Sequence, residues 1–162
     1  MTVAPGGFLD ALPAVHRGWL LGFGHEVMFA AGTALFDEGD VADRFWIIRS
    51  GSVALDVHVP GRGAVVVETL GKGELLGWSW LFEPYRWHLG ASTRSAVHAY
   101  EFEAARVRAA MEDDPAAGLA LFRCIGDQVI GRRLRAARTR LLDLYGPPAG
   151  QPAGHESSER AW

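Results

Sequence analysis

Between Gly32 and Phe102 glycine-bearing turns cut the chain into short runs of β-branched and aromatic residues, and after Phe102 that pattern stops. The switch constrains the fold more than any other feature, because a period of two and a period near 3.6 cannot belong to one element. Val53, Leu55, Val57 and Val59 alternate with Ala54, Asp56 and His58, the pattern of a strand with one buried face. Pro60-Gly61-Arg62-Gly63 separates that run from Val65-Val66-Val67, so the two read as a hairpin. Phe45-Trp46-Ile47-Ile48 ends at the turn Ser50-Gly51, and Ala96 to Phe102 supplies a last strand. Short strands at this spacing predict an all-β sandwich or barrel, and no fixed-period repeat points to a solenoid or propeller.

The chain then turns helical. Ala104 to Glu112 is rich in Ala, Arg and Met, and Asp114-Pro115 offers an N-cap followed by proline at the first helical position. Helices are expected at about 104–113 and 115–145. Along the second, Phe122, Gly126, Ile130, Leu134, Ala137, Leu141 and Leu144 form one apolar stripe at steps of three and four. Gly146-Pro147-Pro148 closes the helix, and residues 146–162 are expected to be a disordered tail on a domain spanning 1–145. Beside so small a β-domain, the stripe either folds back on its own sheet or is covered by a second copy. A homodimer is the economical solution.

At 162 residues and 17.6 kDa the chain has the size of one domain, and 49% hydrophobic residues suffice for a substantial core. Cys124 is a single cysteine and cannot form an internal disulfide. The apolar stretch from Trp19 to Phe36 is broken by His25 and Glu26, and the N-terminus lacks a basic start and meets Asp10 early. A cytoplasmic protein without a membrane span is expected. Net charge is −3, with 9 basic and 15 acidic residues in 1–118 against 6 and 2 in 119–145. Arg132, Arg133, Arg135, Arg138 and Arg140 read as the solvated face of the long helix, with phosphate contact as the alternative, and no nucleic-acid partner is expected. Six scattered histidines lack the spacing of a metal site, so no metal is expected. Cys124, proposed with His88 as a haem ligand, reads better as a small core residue, and no cofactor is expected. Ser79 has no nucleophile-elbow context, so the chain is not read as an enzyme.

Ala31-Gly32-Thr33-Ala34-Leu35-Phe36-Asp37-Glu38-Gly39-Asp40, Asp43 to Val53, and Leu70-Gly71-Lys72-Gly73-Glu74-Leu75-Leu76-Gly77 together resemble the cyclic nucleotide-binding domain of the Crp/Fnr (catabolite activator) family. The resemblance covers roughly residues 8–145. It implies a mainly β fold, an eight-stranded jelly-roll β-roll over about 26–102, with a short N-terminal helix and a long C-terminal dimerisation helix. It further implies a phosphate-binding cassette from Gly77 to about Ala91, with Arg86 at the place of the phosphate arginine and amides near Gly77 to Ser79 assisting. The ribose glutamate expected after the cassette glycine is Trp78, and Trp87 and His88 replace the small pair after the arginine. On the long helix Ala137 and Arg138 stand where base-contacting hydroxyls are expected, with Thr139 close by. The helix-turn-helix of family activators is not expected in the 17 tail-like residues after Tyr145.

Loss of the carboxylate removes a charge-assisted hydrogen bond worth about 1.5–3 kcal/mol, so tight binding of cyclic AMP or cyclic GMP is not expected. Trp78, Trp80 and Trp87 lie within ten residues, beside Phe82 and Tyr85. They either line an apolar pocket with Arg86 or fill the roll themselves. The first arrangement gives a regulatory module for a small anionic or nucleotide-like ligand at Gly77, Trp78, Ser79, Trp80, Arg86, Trp87 and His88. The second gives a dimeric scaffold for a protein partner docking on the loop Trp80 to Trp87.

Overall fold

Two four-stranded antiparallel sheets form the roll. One runs in the order β1 (Gly24–Phe29), β8 (Val97–Glu103), β3 (Arg44–Ser50) and β6 (Leu75–Leu76). The other runs β2 (Ala34–Phe36), β7 (Gly90–Thr93), β4 (Val53–Val59) and β5 (Gly63–Leu70). Of the consecutive strands only β4 and β5 share a sheet; every other connection crosses to the opposite one, as in a jelly roll. This computed structural model describes residues 6–145, except the side chain of Arg133, so the tail expected at 146–162 lies outside the described residues.

The β4–β5 hairpin turns at Pro60–Arg62, pairing Val59 with Gly63. Its burial departs from strict alternation. Val53, Ala54 and Leu55 are all buried, whereas Val65, Val66 and Val67 are exposed because β5 is an edge strand. On β3 the consecutive Phe45 and Trp46 necessarily face opposite sides of the sheet. Phe45 opposes Phe102 of β8 and stacks on it at 4.7 Å, on the side covered by helices. Trp46 opposes Glu101, and with Ile48, Val97 and Ala99 it faces the roll interior.

Helices α1 (Phe8–Ala11) and α2 (Ala14–Leu21) precede the roll, and the Phe8 N–H donates to the Gly73 carbonyl at 2.7 Å. Helix α3 (Ala104–Asp113) follows it. Asp114 then caps α4 (Pro115–Ile125) by accepting from the Ala117 N–H at 3.1 Å. The single helix expected over 115–145 is interrupted: Gly126–Ile130 forms a π turn before α5 (Gly131–Tyr145). The stripe explains why. Three successive four-residue steps from Phe122 to Leu134 would drift about 40° each on an ideal α-helix, and a wider turn takes up that drift.

Helix α4 buries Ala117, Leu121, Cys124 and Ile125 against the rest of the molecule. On its other face Phe122 meets the Phe82 ring edge-on, and α5 from residue 134 onward is exposed. Phe122, Ile130, Leu134, Leu141 and Leu144 are exposed, so the stripe does not fold back over its own sheet. Among the described side chains, that of Arg132 ties α5 to the roll. Arg132 reaches Glu68 of β5 at 3.2 Å and Glu74 in the turn before β6.

Candidate functional site

The cassette begins where β6 ends. Gly77 has a φ of +94°, and a Cβ there would lie 2.5 Å from the Trp87 ring, so glycine is required both by conformation and by contact. That indole stacks on Phe36 of β2 at 4.0 Å and lies 6.5 Å from Trp46 of β3. These two neighbours belong to different sheets, which puts Trp87 between them, inside the roll.

The backbone that places Trp87 inward turns Arg86 outward. The Trp87 N–H donates to Asp40 and its carbonyl accepts from Gly39, while Val41 and Arg86 form an antiparallel bridge. Alternation along this extended pair sends neighbouring side chains to opposite sides. Arg86 is therefore exposed and donates through Nη1 to the Gly39 carbonyl at 2.9 Å, rather than facing the roll as its place in the cassette led us to expect. Glu74 is not its partner. That carboxylate accepts from the Gly71 N–H at 2.6 Å and from Arg132.

The tryptophan cluster is split three ways. Trp80, fully buried in the 3-10 turn Ser79–Leu81, stacks on Phe45 at 4.2 Å, on the helix-covered face of β3 opposite to Trp87. Its indole N–H donates to the Gly77 carbonyl at 3.1 Å, closing the turn, and Ser79 beside it is buried. Trp78 is half-buried, edge-on to Phe82 at 6.0 Å and 5.9 Å from the exposed His88. Tyr85 adopts a left-handed φ of +54°, a strain of about 1 kcal/mol that the surrounding contacts hold in place. Its carbonyl accepts from Ala42, its N–H donates to Phe82, and the Arg108 guanidinium lies 4.1 Å over its ring.

One residue of the interior was missed from sequence. Glu101 is buried in the roll and accepts from the Trp46 indole N–H at 2.8 Å and Arg44 at 3.0 Å, with His25 at 3.4 Å. The signal was present, since Glu101 lies in the inward register of Val97 and Ala99. On α5, Thr139 spends its hydroxyl on the Arg135 carbonyl of its own helix. Cys124 is a core thiol: burial, and secondarily the charge of Asp127, push its pKa from 9.0 to about 11. Two surface clefts lie outside the roll. One of about 270 Å³ is walled by Val41, Tyr85 and Arg108, and one of about 360 Å³ by Trp19, Phe23 and Arg106. Among the described residues no helix is long and apolar enough to cross a membrane.

Comparison with known proteins agrees with this architecture. The pattern of the cyclic nucleotide-binding domain family matches residues 26–114. A CRP-like cAMP-activated global transcriptional regulator of Mycobacterium tuberculosis is 30% identical over 118 residues, 73% of this chain and 50% of the regulator. The chain thus spans about half the length of the curated relatives it matches. The N-terminal domain of a transcriptional regulator from Streptomyces coelicolor superposes with a TM-score of 0.64 at 26% identity, covering 80% of this chain and 89% of that one. The catabolite activator protein of Thermus thermophilus, at 21% identity, shares the fold with a TM-score of 0.66 over 85% of this chain and 62% of its own. A jelly roll with its cassette between β6 and β7, a long helix after β8, and these matches lead to one assignment: the chain belongs to the cyclic nucleotide-binding domain family.

Proposed function

We propose that the chain is a cytoplasmic regulatory module that keeps the cyclic nucleotide-binding fold without holding a cyclic nucleotide tightly, and that it works as a homodimeric scaffold for a protein partner. The observation that carries this reading is the Trp87 indole, seated on Gly77 and stacked on Phe36 inside the roll, while Arg86 lies outside. A nucleotide entering there must displace a buried ring, a cost of about 3 kcal/mol before any contact is gained. It would also meet Trp78 where a ribose carboxylate is needed. The mycobacterial relative's activation by cAMP therefore does not carry over to this chain as high affinity. The exposed stripe from Phe122 to Leu144 supports dimerisation, because an apolar helix face of that length is not stable in water.

Calorimetry with cyclic AMP and cyclic GMP tests the reading. Weak or absent heats are expected, and submicromolar binding of either nucleotide contradicts it.

A small anionic ligand is favoured by one further observation. Arg86 spends one donor on a carbonyl, and no carboxylate is paired with it among the described residues. If phosphate or a nucleotide raises the melting temperature, Arg86→Ala should abolish the shift. A shift retained in that variant rules Arg86 out as the anion contact.

A further inference from the structure

Arg106, Ala109, Ala110 and Asp113 occupy positions i, i+3, i+4 and i+7 of α3, and so share one face of that helix. The face holds a cation at one end, a carboxylate at the other and two small side chains between. The same cleft is walled by Trp19 of α2 and by Phe23, which follows that helix. Their rings, both half-buried, meet edge to face at 73° with centroids 5.5 Å apart, so that their faces form a corner. The alanines leave that corner open as a cleft of about 360 Å³.

The chemistry of the cleft selects a cation. Aromatic faces carry the negative part of the ring quadrupole, so two rings set nearly at right angles offer one ammonium group two attractive surfaces. Phe23 already draws a cation from the chain itself, since the Arg106 guanidinium lies 5.8 Å from its centroid. Arg106 is exposed, so a ligand can displace it into solvent. Asp113 is exposed and has no ion pair among the described residues, whereas Asp114 is engaged in capping α4. No basic residue stands in the last turn of α3, so the negative end of the helix dipole adds to the Asp113 charge. A cleft of this size is at the lower end of the range of about 300–1,000 Å³ for small-molecule sites, which suits a compact ligand. A quaternary ammonium group meets both demands, because its methyl groups pack on the rings while its charge faces them.

We propose that this cleft binds a small quaternary ammonium compound, with the charged head in the corner of Trp19 and Phe23 and facing Asp113. The site lies outside the roll and does not depend on what the cassette holds.

Titration of the full chain with choline tests this, read by NMR at the indole N–H of Trp19, which is identified as the resonance missing in Trp19→Phe. A saturable shift with a dissociation constant of about 1 mM is expected. The uncharged isostere, in which carbon replaces the nitrogen of choline, should bind about tenfold more weakly or not at all. Asp113→Asn changes an exposed side chain and should weaken choline about fivefold. Arg106→Ala should tighten it about twofold or more, because the chain's own cation then neither covers Phe23 nor repels the ligand. The absence of a saturable shift up to about 50 mM choline, or equal binding of the uncharged isostere, overturns the proposal. Weaker binding in Arg106→Ala overturns it as well, since the guanidinium would then belong to the site instead of competing for it. An unchanged affinity in Asp113→Asn overturns the part given to the carboxylate.

Discussion

The roll and the long helix are rich in apolar side chains and use them in opposite ways. In the roll, Phe45, Trp80 and Phe102 stack on one face of β3 and Trp46 and Trp87 on the other, all of them buried, and the buried Glu101 accepts from Trp46 and Arg44. On the helix, Leu134, Leu141 and Leu144 lie in solvent, and Arg132 holds α5 to the roll through a pair of carboxylates. The same hydrophobic content therefore closes one region and leaves the other incomplete. The roll and the helices packed on it share a closed core, whereas α5 has the surface of half an interface.

Truncation on the two sides should separate them most sharply. Trp80→Ala or Trp87→Ala should cost about 3–5 kcal/mol in denaturant unfolding, at any protein concentration, because each removes a buried indole from a stack. Leu134→Ala, measured dilute enough for the chain to be monomeric, should cost less than about 0.5 kcal/mol. Equal costs would erase the distinction. Next in size, Glu101→Ala should lose about 1–3 kcal/mol, since the buried Trp46 indole N–H then has no acceptor. Unchanged stability there would mean that the interior carboxylate is incidental.

The thiol of Cys124 should make a smaller contribution, dependent on pH. Its folded pKa of about 11 lies above the ordinary 9.0, so the unfolded chain releases the proton first and stability falls as pH rises through that window. The loss should be roughly 1 kcal/mol by about pH 10 and absent in Cys124→Ser. The smallest effect is expected from Arg132→Ala, a few tenths of a kcal/mol because the pair is partly exposed. Amide exchange in α5 should nevertheless quicken, and unchanged exchange would show that the Arg132 contact does not hold the helix.

Much of this was legible in the sequence because it depends on period and turn chemistry. The strand over Val53 to Val59, the hairpin at Gly61 and the cap at Asp114 each follow from local rules and are found in place, although burial along that strand does not alternate strictly. What the sequence concealed depends on which way a side chain faces. Trp80 and Trp87 are seven residues apart and lie on opposite faces of β3, which only the path of the cassette decides. Arg86 faces out because the pairing of residues 39–42 with 85–87 fixes the alternation from outside the cassette. Glu74 sits in the glycine turn before β6, and its partner, Arg132, is 58 positions away. The π turn was present in the repeated steps of four but is hidden when a stripe is read only as apolar.

The incomplete helix is the part of this account most directly open to measurement. Sedimentation equilibrium of the unaltered chain across the micromolar range should give twice the 17.6 kDa of one copy, falling toward one copy on dilution. A mass of 17.6 kDa at every concentration would mean that the stripe from Phe122 to Leu144 stays exposed in a working protein, and the division between a closed core and a half-built interface would be wrong.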